Sequence, residues 1–176
     1  EVTKFFAEKG EAAYRAKQVY EWIWQKHACS FEEMSNLSKN LRQLLTEEFI
    51  INAVTLETKQ VSSDKTIKNA FRLYDGNYVE GVLIPARERM TACVSSQVGC
   101  SLTCKFCATG YIERERNLNP DEIFDQVALM NKQAQEHDGR HLSNVVFMGM
   151  GEPLLNYSNV LKAIERITSP DGLAMS

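Results

Sequence analysis

The chain has 176 residues, of which 44% are hydrophobic and 24% charged, with a formal net charge of −3. This balance excludes a disordered polymer and leaves room for one medium domain or two small ones. It supplies no general attraction to nucleic acid, so an RNA partner would have to be held by a local basic patch, and no apolar run approaches the roughly 18 residues of a membrane span.

The opening segment, Glu1 to Gly10, lacks the apolar core of a secretion signal, and five cysteines suit a reducing compartment better than a disulfide framework. A cytoplasmic protein is expected. From Glu11 to His27 the residues Ala12, Ala16, Val19, Tyr20, Ile23, Trp24 and His27 fall at three- and four-residue intervals, which predicts an amphipathic helix. Ser30 with Glu33 has the form of a capping box, and Leu37, Leu41, Leu44 and Leu45 carry the helical period to about Phe49. Cys29 has no partner motif and is expected to pack.

The pattern then changes. Val54, Leu56, Ile67, Phe71, Leu73, Tyr78, Val82 and Ile84 sit in short extended runs broken at Ser62-Ser63-Asp64 and Asp75-Gly76-Asn77, which predicts an antiparallel meander. Thr91 to Val98 reads as one strand leading into a cysteine-rich loop. Asn119-Pro120-Asp121-Glu122 is a helix start with a cap, a proline at the first position and acids in the first turn, and the helix should run to about His137. Asn144 to Met148 suits a strand buried on both faces, and a second helix is expected from Tyr157 to Thr168. Strand, helix, strand, helix implies a parallel sheet, with the cysteine loop at a strand's carboxyl end, where open α/β sheets and barrels hold their ligands.

That loop, Cys100-Ser-Leu-Thr-Cys104-Lys-Phe-Cys107, places three thiols within eight residues. A four-iron cubane needs one ligand per iron, so three cysteines leave one iron free to bind a small molecule. The spacing is neither that of bacterial ferredoxins nor that of paired zinc knuckles. Zinc recruiting Cys93 as a fourth sulfur, and a Cys104–Cys107 redox pair, stay open beside it. Gly149-Met150-Gly151-Glu152-Pro153 follows the second parallel strand and should face the cysteine loop. Its glycines admit close backbone approach, and the freed carbonyl and the Glu152 carboxylate can accept from an ammonium or a ribose hydroxyl. An isolated motif of this kind is more often a plain strand-to-helix turn.

The C-x3-C-x2-C spacing with Phe106 before the last cysteine resembles the radical S-adenosylmethionine superfamily. Cys93 through Gly110, Arg116-Asn117-Leu118 and Val146 through Asn156 resemble, more narrowly, its RlmN/Cfr family of RNA methyltransferases, and Tyr14-Arg15-Ala16-Lys17-Gln18 and Trp22-Ile23-Trp24 match that family's N-terminal helical domain. The resemblance implies an α/β fold: a partial (β/α) barrel, preceded by a small helical domain and the meander. The expected division is 1–51 as helical RNA-binding accessory domain, 52–89 as meander and 90–176 as the first part of the barrel.

The same resemblance implies a [4Fe-4S] cluster on Cys100, Cys104 and Cys107, S-adenosyl-L-methionine held in part by Gly151 and Glu152, and methylation of adenine carbon 2 in large-subunit rRNA and tRNA. Val98 and Pro153 point to the carbon-2 branch; carbon 8 is the alternative within the family, and a zinc-stabilised RNA-binding module the alternative outside it. Carbon 2 has no usefully acidic proton, so a radical route through a methyl group carried on a protein cysteine is implied. Cys93 matches the thiol that releases the product through a transient disulfide, and Glu80 the carboxylate that accepts a proton. A flavodoxin-like electron donor and a monomeric state are expected. Arg15, Lys17, Arg87, Arg89, Arg114 and Arg116 are candidates for phosphate contacts, although scattered basic residues ordinarily form a solvated face. His27, His137 and His141 show no ligand spacing, and Met148 and Met150 are expected to pack. The chain starts on Glu1 and has no cysteine after Cys107, so it reads as a fragment expected to bind its cofactors without turning over.

Overall fold

The computed structural model describes residues 1–175. Its N-terminal unit is built from α1 (Val2–Glu8), α2 (Tyr14–Trp24) and α3 (Lys39–Glu48) around Phe6, Val19, Phe31, Met34, Leu41 and Leu45. The sequence gives no sign of α1, because seven residues carry too little periodicity to read. α2 is shorter than its apolar pattern predicts, and His27, at φ +53°, turns the chain out of the helical direction. The capping box forms between Ser30 and Glu33 at a single 3-10 turn, and the Ser38 hydroxyl caps α3 by accepting the Leu41 N–H at 3.3 Å.

The meander is present as β1 (Thr55–Val61), β2 (Ile67–Arg72) and β3 (Tyr78–Pro85). Its turns are closed by Asp64 and Asp75, whose carboxylates accept the N–H groups of Thr66 at 3.0 Å and Asn77 at 3.1 Å. β4 (Met90–Cys93) pairs antiparallel with β3, and β7 (Asn144–Val146) pairs parallel with β4, so the order β1-β2-β3-β4-β7 joins the meander and the parallel pair in one sheet. The sheet does not close into a barrel among the described residues.

One face of this sheet is covered by α4 (Pro120–Asp138) and α5 (Tyr157–Thr168). Phe71, Val79, Leu83 and Ala92 meet Ile123, Val127, Met130, Val160 and Ala163 there. A buried amide pair, Asn69 and Gln133, exchanges two hydrogen bonds of 2.9 and 2.7 Å across the same interface, leaving neither side chain unsatisfied. The helical unit docks on α4 through Trp24, edge-on to Phe124 at 5.0 Å between ring centroids, and through His27, 3.1 Å from Asp125. Asp125 also accepts the Val54 N–H at 2.9 Å, which ties the start of the meander to the same helix.

Two expectations are corrected. The strand expected over Thr91 to Val98 breaks after Cys93, and β5 (Gln97–Val98) pairs instead with β6 (Arg116–Asn117) in a separate two-stranded ladder. Side chains cause the break: the Ser95 N–H donates to the Gln126 carboxamide at 2.9 Å and the Ser95 hydroxyl to the Glu80 carbonyl at 2.6 Å, taking up groups that a continuous ladder would use. β7 is only three residues long and half-buried, because it is an edge of the sheet among the described residues and one of its faces is open. No described helix is long and apolar enough to cross a membrane.

Candidate functional site

Parallel pairing of β4 with β7 brings both carboxyl ends to one rim, and the segments that leave them are bonded to each other. The Val94 N–H donates to the Val146 carbonyl at 2.9 Å, the Gly149 N–H to the Val94 carbonyl at 3.0 Å and the Ser96 N–H to the Met150 carbonyl at 2.9 Å. The Ser95 hydroxyl accepts the Met150 N–H at 2.8 Å. Gly151, at φ +90°, lies so close to Gln97 that a Cβ there would stand 2.5 Å from the Gln97 Cβ, which only glycine avoids. The Glu152 carboxylate accepts the Leu154 N–H at 3.0 Å and caps the short turn that opens α5.

The cysteine loop is tied at its base by the Cys100 N–H, which donates to the Ile112 carbonyl at 3.1 Å, and across its middle by the Cys107 N–H, which donates to the Cys104 carbonyl at 3.0 Å. Gly99, at φ +71°, makes this entry possible, since a Cβ would overlap the Glu113 carbonyl at 2.1 Å. Cys104 is exposed and Cys100 and Cys107 half-buried, with Phe106 standing in solvent between them. Backbone amides approach two of the three sulfurs, those of Cys100 and Cys107. The Leu102 N–H lies 3.4 Å from Cys100 Sγ, and donation from Gly110 and then Thr109 holds the Cys107 thiol below its usual range. Such donors favour thiolate, the form that ligates iron, so the loop fits an iron–sulfur cluster.

Among the described residues no three His, Cys, Asp or Glu side chains converge on a single ion position. A cubane does not require that, because each thiolate binds a different iron, whereas a tetrahedral zinc would need its sulfurs around one point. Cys93 lies outside the loop, on β4, opposite Val82 of β3 and Val146 of β7. Directly paired residues share a face, and so does Glu80, two residues from Val82. Cys93 and Glu80 therefore project from the face turned away from α4. Cys93 is buried, which pushes its thiol up against a smaller opposing effect of the Met148 N–H. Glu80 is half-exposed and pairs with Lys68 at 2.7 Å. All five cysteines are free, so the expected disulfide finds no support among them.

Other expectations change. Arg116 is not a free cation for phosphate: its guanidinium contacts Asp75 at 2.6 Å and both oxygens of the buried Glu122 at 2.8 Å, pinning the meander to α4. Arg15 bonds the Gln18 side chain and the Asn36 carbonyl, while Lys17, Arg87, Arg89 and Arg114 are exposed. Cys29 and Met148 are exposed rather than packed, though Met150 is buried. Ser95, Gln97, Gln126 and Asn156 were missed. All four are buried, and Asn156 donates to the Ser96 and Leu118 carbonyls at 2.8 Å. The available signal was Gln126 on the apolar stripe of α4, since a polar residue on a buried face needs a partner.

The whole arrangement has known counterparts. Residues 1–51 match the family model "Ribosomal RNA large subunit methyltransferase N-terminal domain" and residues 94–173 match "Radical SAM superfamily". A protein of Cytophaga hutchinsonii named "Probable dual-specificity RNA methyltransferase RlmN" is 62% identical over 98% of this chain and 47% of its own length. One of Geotalea uraniireducens, named "Dual-specificity RNA methyltransferase RlmN", is 44% identical over 100% of this chain and 50% of its own. The crystal structure of a radical SAM methyltransferase from Sphaerobacter thermophilus superposes with a TM-score of 0.89 at 36% identity, covering 100% of this chain and 52% of that one. The chain spans about half the length of the curated relatives it matches.

Proposed function

Because this chain belongs to the RlmN family of the radical SAM superfamily, we propose that it is the part of an RNA methyltransferase that holds the cluster and S-adenosylmethionine and modifies carbon 2 of adenine in large-subunit rRNA and tRNA. The observation that carries this reading is the hydrogen-bonded contact between the cysteine loop's entry and the Gly149–Pro153 turn on one strand rim. When bound, the cluster and S-adenosylmethionine supply the one-electron chemistry that an unreactive aromatic carbon demands.

In this reading Cys100, Cys104 and Cys107 hold the cluster, and the Gly151 carbonyl and Glu152 carboxylate accept from the cofactor's ammonium or ribose. Cys93, on the open sheet face, is the thiol that releases the methylated base, and burial pushes that thiol up from its usual range. Glu80, on the same face, accepts the proton lost from the adenine adduct. Residues 1–51 form the RNA-facing accessory domain, 52–89 the meander that extends the sheet, and 90–176 the first part of the catalytic barrel. The protein works as a monomer in the cytoplasm with a flavodoxin-like donor.

Anaerobic reconstitution tests the assignment. About four iron and four sulfide per chain are expected, falling in the Cys100→Ala, Cys104→Ala and Cys107→Ala variants, with 2-methyladenosine in RNA treated with the chain extended to the length of its relatives. One tightly held zinc and no sulfide would overturn it, and 8-methyladenosine would move it to the other branch of the family.

A further inference from the structure

Gln97 is wholly buried between the two loops that the proposed cofactor would touch. Its Oε1 accepts the Glu152 N–H at 2.9 Å, and its Nε2 donates to the Asn117 side chain at 2.7 Å. Asn117 stands directly opposite Gln97 in the β5–β6 ladder and in turn donates to the Leu155 carbonyl at 3.3 Å. One carboxamide thus ties the base of the cysteine loop, three residues before Cys100, to the glycine-rich turn 55 residues later. The orientation of the amide follows from its partners, because only its oxygen can receive a backbone N–H.

Fixing that N–H has a geometric consequence. In a trans peptide the N–H and the preceding carbonyl point in opposite directions. Drawing the Glu152 N–H inward to Gln97 turns the Gly151 carbonyl outward, and among the described residues no donor reaches that carbonyl. The Gly151 backbone runs so close to Gln97 that an added Cβ would stand 2.5 Å from Gln97 Cβ and 2.6 Å from its Cγ, which leaves the turn seated against this side chain.

We propose that Gln97 is a positioning residue, which sets the 151–152 peptide so that the Gly151 carbonyl and the Glu152 carboxylate are presented together to the ammonium group of S-adenosylmethionine. The proposal rests on the reading of Gly151 and Glu152 as cofactor-holding groups. Gln97 itself touches neither cofactor nor RNA. Its loss therefore weakens cofactor binding without stripping iron.

The test compares wild type, Gln97→Met and Asn117→Ser after anaerobic reconstitution. S-adenosylmethionine Kd is measured by equilibrium dialysis, iron and sulfide are counted, and the EPR spectrum of the reduced cluster is recorded with and without cofactor. Gln97→Met keeps the volume but removes the acceptor, and should raise Kd roughly tenfold at unchanged iron content, the effect of losing one hydrogen bond to a partly buried N–H. The cofactor-induced change in the EPR spectrum should shrink with it. Asn117→Ser leaves Gln97 in place but unoriented, and should raise Kd about threefold. Wild-type Kd and an unaltered EPR response in folded Gln97→Met overturn the proposal. Should Gln97→Met not fold, an unchanged Kd in Asn117→Ser overturns it instead. A wild-type protein that carries a cluster and binds no S-adenosylmethionine would sink the reading beneath it, which is a separate and recognisable outcome.

Discussion

Lys68 and Glu80 form a cross-strand ion pair, 2.7 Å between Nζ and Oε1, on the sheet face that also carries Cys93. Both side chains are about half-exposed, so the pair itself contributes no more than about 1 kcal/mol to stability. Its value is directional: Lys68 is bonded across to β3 and keeps the Glu80 carboxylate on the open face. In the chain extended to the length of its relatives, reconstituted and given RNA substrate, Glu80→Gln should lower turnover at least about a hundredfold, within the usual range for loss of a general base. Iron content and cofactor affinity should stay as in wild type. Lys68→Met should fold normally and lose less. A Glu80→Gln enzyme with full turnover would remove Glu80 from the chemistry.

Gly151→Ala is a harsher change than its size suggests. The new methyl would need the left-handed backbone at φ +90° and a separation of 2.5 Å from a buried side chain. Either the turn or Gln97 must move, so S-adenosylmethionine Kd should rise more than in Gln97→Met. Thermal melting should show a modest loss, on the order of 1–3 kcal/mol. Dialysis and calorimetry on the same preparation separate the two effects.

The thiols should differ in reactivity before any cluster is loaded. Cys93 is buried and its thiol is pushed up by that burial, so little thiolate forms near neutral pH; Cys104 is exposed. Iodoacetamide labelling of the apo protein at pH 8, followed by mass spectrometry, should modify Cys104 at least about tenfold faster than Cys93. Unfolding in urea should erase the difference, because it arises from burial and not from local sequence.

Asp75 gives a pH dependence of known sign. The Arg116 guanidinium, first, and the Asn77 N–H beside it hold its carboxyl down at about 2. A carboxyl depressed in the folded state stabilises the protein above its unfolded value of about 4, and that contribution is lost as pH falls from about 4 to about 2. Solvent around Asp75 limits it to about 1 kcal/mol. Urea midpoints at pH 4 and pH 2.5 should therefore fall less steeply with acid in Asp75→Asn than in wild type. Parallel slopes would mean that Arg116 is held by Glu122 alone.

Much of the frame is local and legible in the sequence. The capping boxes at Ser30 and Asn119, the Asp-closed turns of the meander and the period of α5 each depend on residues a few positions apart, so spacing specifies them. The three-cysteine loop is of the same kind, its ligand spacing being a property of covalent order. Strand ends were less legible, because β4 stops where Ser95 and Gln126 outbid the ladder, and Gln126 is 31 residues away.

Sequence by itself determined the α/β frame, the cysteine spacing and the glycine-rich turn, since helical period, caps and short loops are decided by near neighbours. Only the tertiary structure decided that Cys93 and Glu80 share an open face, that Arg116 is spent on Asp75 and Glu122, and that Gln97 holds the Glu152 N–H. Those outcomes depend on strand register and on pairings of buried polar groups across distant segments. No local pattern encodes which acceptor a buried N–H will find.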